Sequence, residues 1–249
     1  MKFTIITVCY NAQEDVEKTI QSVLGQDYKD YEYIIKDGVS KDQTIEIVQK
    51  AVADDVRVKV ESCKDEGIYD AMNQASKRAR GEYIFFLNAG DVFHDCEVLT
   101  RVNNFIEKHS ADAIYGDIVL KKEDNSWIKR YRNCYRFRTP YLIGDCICHQ
   151  ALFAKRKMFI NKCFDTSYKI CADREWQIHY LKKGMIFIPS KIIISDVLVD
   201  GFSMQNVQLF EKETELCIQS HYPKMVWIYK SILRVKDIAW VKRIIDSRK

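Results

Sequence analysis

Apolar residues come in short blocks over the first third of the chain, with polar clusters between them. Phe3 to Tyr10 is apolar and β-branched, the pattern of a strand buried on both faces. Asn11 offers a cap for a following helix in which Val16, Ile20, Val23 and Leu24 share a face. Tyr31 to Lys36 predicts a second strand, ending at the turn residues Asp37-Gly38, and Ile45, Val48 and Val52 mark a second helix. Val56 to Val60 alternates with charged residues, as a more exposed strand does. After Gly67 a helix is expected from Tyr69 to Ala79, closed by Gly81 as its C-terminal cap. Glu82 to Leu87 predicts a further strand, ending in Asn88-Ala89-Gly90-Asp91. Strand and helix alternate throughout, which predicts a mainly parallel sheet with helices on both faces. Ligands of such sheets bind beyond the carboxyl ends of the strands, and the polar, glycine-containing clusters fall there.

Past about residue 112 the alternation blurs. Ala113 to Leu120 and Ile128 to Tyr135 predict strands joined by a polar turn. A strand at Ile147 to Phe153 precedes Lys155 to Phe159. A helix is expected over Ala172 to Lys183, then strands over Met185 to Pro189 and Lys191 to Val197. No internal repeat, low-complexity tract or Pro/Gly-rich linker interrupts the chain, so residues 1–205 read as one domain with a helical segment, 206–249, after it.

Composition narrows the partners. The net charge of +4 over 249 residues carries no signature of nucleic-acid binding. It is unevenly placed: Lys224 to Lys249 holds eight Lys and Arg against two Asp, more than the whole net charge. Nine cysteines, an odd number at scattered spacing, read as reduced thiols of a cytoplasmic protein rather than a disulfide framework. Cys146-Ile147-Cys148-His149 lacks the matching second pair of a structural zinc site. The N-terminal apolar run is too short for a signal peptide and no stretch reaches spanning length, so a soluble or peripheral protein is expected.

Four clusters stand at the expected strand ends: Tyr10-Asn11, Asp37 to Thr44, Asp65 to Asn73, and Leu87 to Asp91. Singly, each has a plain structural explanation, because Asp-Gly is turn chemistry and Asp42 or Asp91 can cap a helix. Together, in this order, they are more specific. Thr4-Ile5-Ile6-Thr7-Val8-Cys9-Tyr10-Asn11, Ser22-Val23-Leu24-Gly25-Gln26 and Asp37-Gly38-Val39-Ser40-Lys41-Asp42-Gln43-Thr44 resemble the first strand, first helix and D-G-x-S-x-D-x-T motif of family 2 glycosyltransferases of bacterial polysaccharide and O-antigen type. The resemblance is strong over residues 1–115 and weaker over 140–205. It implies the GT-A fold, an α/β Rossmann-like mixed sheet flanked by helices. It also implies a nucleotide-sugar half (1–115) and an acceptor half (116–205), with C-terminal amphipathic helices beyond them.

The same resemblance assigns roles. Asp37 would hold the nucleobase, with Tyr10 and Asn11 beside it. Gly67 would let the backbone pass close to the donor, and Asp70 and Asn73, one helical turn apart, would reach it together. Asn88-Ala89-Gly90-Asp91 stands where the family has its D-x-D-type cluster. Asp91 is then the ligand of Mg²⁺ or Mn²⁺ on the diphosphate, with Asn88, Ala89 and Gly90 lining the donor. One carboxylate with phosphate oxygens and waters is an adequate Mg²⁺ site. Asp173-Arg174-Glu175-Trp176 resembles the E-D-x-x-W region, making Asp173 the first choice for catalytic base and Glu175 the second, with Trp176 at the acceptor. His149-Gln150 resembles an H-Q motif and would approach the diphosphate or acceptor. Gly201-Phe202-Ser203 matches a loop that closes over the donor, with Ser203 reaching the ligand.

These features imply inverting transfer of a sugar from a nucleoside-diphosphate donor, UDP being commonest in the family, to a saccharide or lipid-linked saccharide. The tail supports the lipid link. Ile228, Ile232, Val235, Ile238 and Ile245 can form one helical stripe, flanked by Trp227, Trp240 and basic residues, as in helices lying on anionic lipid. The same stripe could instead pack on the domain or form a homodimer contact. A peripheral location on the inner face of the cell membrane follows from the lipid reading. Two other classes remain: a nucleotidyltransferase, which should show a basic Gly-rich loop where Asn11-Ala12-Gln13-Glu14-Asp15 stands, and a binding or scaffold protein that kept the fold without the chemistry.

Overall fold

A computed structural model of the protein describes residues 1–53, 55–122, 127–131, 146–198 and 206–236. The first half is the expected alternation: β1 (Phe3–Cys9), α1 (Val16–Leu24), β2 (Tyr31–Asp37), α2 (Thr44–Val52), β3 (Val58–Ser62), α3 (Ile68–Ser76) and β4 (Tyr83–Phe86). Then come β5 (Val92–Phe93), α4 (Val98–Lys108), β6 (Ala113–Lys121), β7 (Trp127–Tyr131), a 3₁₀ turn (His149–Ala151) and β8 (Leu152–Lys155). The chain continues with α5 (Arg156–Asn161), α6 (Ala172–Lys182), β9 (Phe187–Leu198), α7 (Val207–His221) and α8 (Val226–Lys236).

The strands form one mixed sheet in the order β3-β2-β1-β4-β8-β6-β9-β5, with β7 on the far part of β6. Neighbours among β3, β2, β1 and β4 are parallel. β8 enters antiparallel to both β4 and β6, and β6 then runs parallel to β9. Side chains along β1 divide between the faces, as the two-residue period requires. Phe3 and Ile5 join the core under α1, α2 and α4, while Ile6 and Val8 join the core under α3, α5 and α6. β3 is only half-buried, as its alternating charges predict.

Several sequence expectations need correction. Asn11 does not cap α1: it sits at φ 49° and the residue before the helix is Asp15. α3 stops at Ser76, so Gly81 caps nothing. It is instead a point of close approach, where a Cβ would lie 2.4 Å from the backbone carbon of Phe3. The strand expected over Ile147 to Phe153 is a 3₁₀ turn followed by the short β8. The two strands expected over Met185 to Val197 are one bulged strand: Tyr115 pairs with Pro189 and Asp117 with Ile193, so two positions on β6 face four on β9. Lys191, at φ 61°, takes up the excess. Residues 132–135 of the second expected hairpin strand lie outside the described residues.

Replacing Gly81 by Ala should therefore cost stability on the order of 2–4 kcal/mol, because both partners in the clash are backbone. Denaturant unfolding of the variant measures this, and an unchanged midpoint would contradict the packing.

Candidate active site

The loops after β1, β2 and β3 are tied to one another at the carboxyl edge of the sheet. The Asn11 amide donates to Ser40 Oγ (2.9 Å), and Asn11 Oδ1 accepts from the Lys41 amide (2.8 Å). The Ala12 amide donates to Thr44 Oγ1 at 2.7 Å. Asn11 thus fastens two loops together. Asp37 does the same work within its own loop. Its carboxylate accepts from the amides of Val39 (3.0 Å) and Ser40 (3.1 Å), from Ser40 Oγ (2.5 Å) and from Ser62 Oγ (2.6 Å). Four donors fill the roughly four lone-pair positions of a carboxylate. Asp37, expected to hold the base, is buried and spent on holding Val39 at φ 65°.

The acid left with capacity is Asp65, at the end of β3, which stood in a recognised cluster but was given no role from sequence. Oδ2 accepts from Lys36 Nζ (2.8 Å) and Oδ1 from the Gly67 amide (3.1 Å). Lys36 is fully buried and also donates to the carbonyls of Asp37 (3.0 Å) and Cys63 (2.6 Å), so all three of its protons are placed. A Cβ on Gly38 would lie 2.9 Å from Asp65 Oδ2 and 3.3 Å from the Tyr10 ring. Gly38 therefore leaves a gap between a fixed carboxylate and an aromatic ring that is 57% exposed. Gly67 begins α3 at φ 121°, a conformation open to glycine but strained for other residues.

α3 does not aim Asp70 and Asn73 at one ligand. Asp70 accepts from the Glu66 amide (3.0 Å) and Gln74 Nε2 (2.8 Å). Asn73 pairs with the backbone of Phe164, donating to its carbonyl and accepting from its amide, both at 2.9 Å. It joins α3 to the acceptor half.

Beyond β4 the chain turns through Asn88, Ala89, Gly90 (φ 101°) and Asp91. Asn88 and Ala89 are half-buried. Gly90 donates to Thr19 Oγ1 (3.0 Å), which in turn donates to the Asp91 carbonyl (2.8 Å). Two adjacent residues of the 3₁₀ turn then bind both halves together. Gln150 Nε2 donates to Asp91 Oδ2 at 3.2 Å. His149 Nδ1 lies 3.3 Å from Asp173 Oδ2, and its Nε2 lies 3.0 Å from Asn88 Nδ2. A carboxylate only accepts, so Nδ1 carries the proton and Nε2 accepts from Asn88. Asn88 Oδ1 is buried with no partner. Asp173 stands in the first turn of α6, where the helix dipole favours negative charge. Its Oδ1 accepts from the Arg174 amide (2.8 Å) and lies 3.2 Å from the Tyr69 hydroxyl, whose one proton points mainly at the nearer Ile170 carbonyl (2.5 Å). Tyr69 had been read only as a helix residue, and its place after Gly67 in the third cluster was the available signal.

The other candidates on α6 make their contacts away from His149 and Asp91. Glu175 points from α6 toward α7, accepting from His221 (3.0 Å) and pairing with Lys162 (3.1 Å). Burial alone would raise its pKa, but the hydrogen bonds from His221 and Lys162 and the Lys162 charge outweigh burial and hold it below the usual carboxylate value. Its oxygens are engaged by these two partners, on the side of α6 toward α7. Trp176 is 1% exposed, stacks on Phe159 at 4.5 Å and donates to the Lys162 carbonyl at 2.8 Å. It belongs to the core. Gly201, Phe202 and Ser203 lie outside the described residues.

Among the described residues no group of three or more His, Cys, Asp or Glu side chains is placed to hold a metal. Asp91 alone still fits a divalent ion. Its carboxyl is desolvated and pushed up to about 6, with Gln150, His149, the Leu198 backbone and Lys18 offsetting only part of the burial cost. A cation sharing that carboxylate with diphosphate oxygens would restore its charge.

The family model described as glycosyl transferase family 2 matches residues 4–164. A PGL/p-HBAD biosynthesis glycosyltransferase of Mycobacterium tuberculosis is 29% identical over 179 residues, spanning 71% of this chain and 68% of its own. WfaP of Escherichia coli, a UDP-Glc:alpha-D-GlcNAc-diphosphoundecaprenol beta-1,3-glucosyltransferase, is 34% identical over 125 residues, 48% of this chain and 47% of its own. TarS of S. aureus with UDP superposes at a TM-score of 0.67 and 19% identity, covering 96% of this chain and 73% of that one. The mannosyltransferase PcManGT of Pyrobaculum calidifontis, with GDP-Man and Mn²⁺, gives 0.66 at 14% identity, over 96% and 75%. These likenesses show the GT-A fold that the motifs imply.

Asp91 sets a pH dependence in chelator. Its folded pKa lies above the 3.8 of an ordinary Asp, so proton uptake stabilises the fold. That contribution is complete below about pH 4 and is lost as pH rises through about 6. Asp91→Asn should melt higher than the parent above pH 6, by on the order of 1–3 kcal/mol, and match it near pH 4. Thermal unfolding across that range decides it, and a pH-independent difference would contradict the buried-carboxyl account.

Proposed function

The chain belongs to glycosyl transferase family 2 and is a glycosyltransferase; from that premise we propose inverting transfer of a sugar from a UDP-linked donor to a saccharide carried on a lipid, in bacterial surface polysaccharide synthesis. The observation that carries this reading is the pair His149-Gln150. One of these neighbours contacts Asp173 and Asn88, and the other contacts Asp91. The candidate metal ligand and the candidate base therefore flank one cleft, at the end of β4.

In this reading Asp65, held by Lys36, accepts the N3–H of uracil, and the Tyr10 ring covers the base in the gap left by Gly38. A cytosine ring, with an acceptor at N3, would face a carboxylate and be rejected. Asp91 would hold Mg²⁺ or Mn²⁺ together with the donor, and the ion would supply charge to offset that growing on the departing diphosphate. The buried, unpartnered Asn88 Oδ1 accepts a hydroxyl of the donor. Asp173 takes the proton of the acceptor hydroxyl as it attacks the anomeric carbon. His149 and Tyr69 flank that carboxylate at 3.3 and 3.2 Å. The name of the E. coli relative states a UDP-Glc donor, a beta-1,3 bond and a diphosphoundecaprenol acceptor, which supports a UDP-sugar and a lipid-linked acceptor here. The absence of a Gly-rich basic loop after β1 speaks against a nucleotidyltransferase.

A lipid-linked acceptor suits a peripheral membrane location. No described helix is long and apolar enough to cross a membrane. α8 leaves Trp227 67% exposed, while Tyr229 is buried against the domain and donates to the Glu211 carbonyl. The helix is thus partly packed back, with an aromatic residue free for the interface, and residues 237–249 lie outside the described residues. Co-sedimentation with vesicles containing anionic phosphatidylglycerol should fall with Trp227→Ala and with added salt. Salt-independent binding, or a dimer that buries Trp227, would count against the membrane role.

Calorimetric titration with UDP, GDP and dTDP, with and without Mn²⁺, tests the donor site. UDP should bind with metal and weaken about tenfold or more in Asp91→Ala. Asp173→Asn should bind UDP normally yet release UDP from UDP-sugars on the order of 10²-fold more slowly. A folded protein that binds none of the three nucleotides would point to a scaffold role.

A further inference from the structure

Glu213 lies on α7, beyond the residues matched by the family model, and is 5% exposed. One carboxylate oxygen accepts from the Lys169 amide at 2.8 Å. The other accepts from the amides of Ile170 (2.8 Å) and Cys171 (2.9 Å). Three consecutive N–H groups thus converge on one side chain, and Cys171 is the residue that opens α6. α6 has no side-chain cap of its own. Glu213 supplies, from a neighbouring helix, negative charge at the end where the dipole favours it. The carbonyl of Ile170 accepts from the Tyr69 hydroxyl at 2.5 Å, so the same segment is held from the donor half as well.

Asp173 follows two residues later. Its side-chain contacts are long, 3.2 Å to Tyr69 and 3.3 Å to His149, while its short bond, 2.8 Å, is to the amide of Arg174 in its own helix. The direction of this carboxylate is set mainly by where the first turn of α6 stands. Glu213 fastens that turn.

We propose that Glu213 is a positioning residue for the transfer reaction, holding the 169–171 segment so that Asp173 faces the cleft; this rests on Asp173 being the base. The C-terminal helix then belongs to the acceptor site rather than trailing it. A misplacement of about 1 Å can cost on the order of 10²-fold in rate while leaving donor binding intact.

The test compares Glu213→Gln with Asp173→Asn and, as a control on the same helix, Glu215→Gln. A glutamine offers one oxygen to three N–H groups and sets its own NH₂ against at least one of them. Expected for Glu213→Gln is UDP affinity with Mn²⁺ within about twofold of the parent. Turnover of UDP-glucose or UDP-N-acetylglucosamine to free UDP should fall about tenfold or more with donor KM unchanged. The His149 ring resonances, assigned with His149→Gln, should move in the direction that Asp173→Asn moves them. In the Asp173→Asn background, Glu213→Gln should add little. Should Glu213→Gln fail to fold, Glu213→Asp keeps the charge, withdraws it by one methylene, and should give the same changes at smaller size. The proposal is overturned if a folded variant keeps parental turnover and unmoved His149 resonances, or if Glu213→Gln slows Asp173→Asn as much as it slows the parent. If neither sugar nucleotide is turned over, the resonances decide alone. Parental turnover by Asp173→Asn itself would sink the base assignment, and the His149 resonances would still report whether Glu213 sets that turn.

Discussion

The direction of one short strand governs the site. β8 lies between β4 and β6 and runs against both. Because it is antiparallel, its entry rather than its exit lies at the edge where β1, β2 and β4 end. The two residues ahead of it, His149 and Gln150, therefore arrive at the turn after β4 and can contact Asn88 and Asp91 there. A parallel strand at the same place would bring its preceding loop to the opposite edge of the sheet. The carboxylates of the two halves are brought to one cleft by this reversal, and the aromatic stack of Phe85, Phe153 and Phe93 beneath it holds the strands in place.

The parallel half was legible because its strands are continuous apolar runs and its loops carry their own turn chemistry. β1 and β2 fall within a residue of expectation, while α1 starts four residues later than the expected cap at Asn11 would place it. Contacts that sequence does not show have a common cause: side chains suited to ligand binding are equally suited to binding backbone. Asn73 satisfies both atoms of its amide on Phe164, and Asp37 fills its carboxylate with the amides and hydroxyls of neighbouring loops. Neither use leaves a periodic signature in sequence. Gly81 was read from its position after a helix, but the need for glycine comes from Phe3, remote along the chain. Asp65 was hidden for the same reason. Its importance depends on Lys36 and on the missing side chain at Gly38, a three-way contact across two strands and a loop.

The acceptor half was less legible because its elements are specified by contacts rather than by pattern. α6 buries Asp173, Arg174, Glu175 and Gln177 together with Trp176 and Ile178, so it has no apolar stripe to read. Its charges are accommodated one by one: Glu175 by His221 and Lys162, and Gln177 by the backbone of Ile147. Most of these partners lie on α7, on the 3₁₀ approach to β8, or on the segment after α5. A helix so dependent on its neighbours orders only when they do, which ties the acceptor side to the C-terminal helices.

Asp91 and Asp173 show how one cleft gives two acids different work. Asp91 is enclosed at a tight turn, and although the Gln150 amide and the Leu198 backbone both donate to it, burial drives its carboxyl up to about 6. Such a group gains most from a cation. Asp173 instead sits at the start of a helix, accepting from a backbone amide and a histidine N–H with the Tyr69 hydroxyl at 3.2 Å beside it. The first environment suits a metal ligand and the second a base. The division follows from solvation and hydrogen bonding at each site, since the side chains are chemically identical.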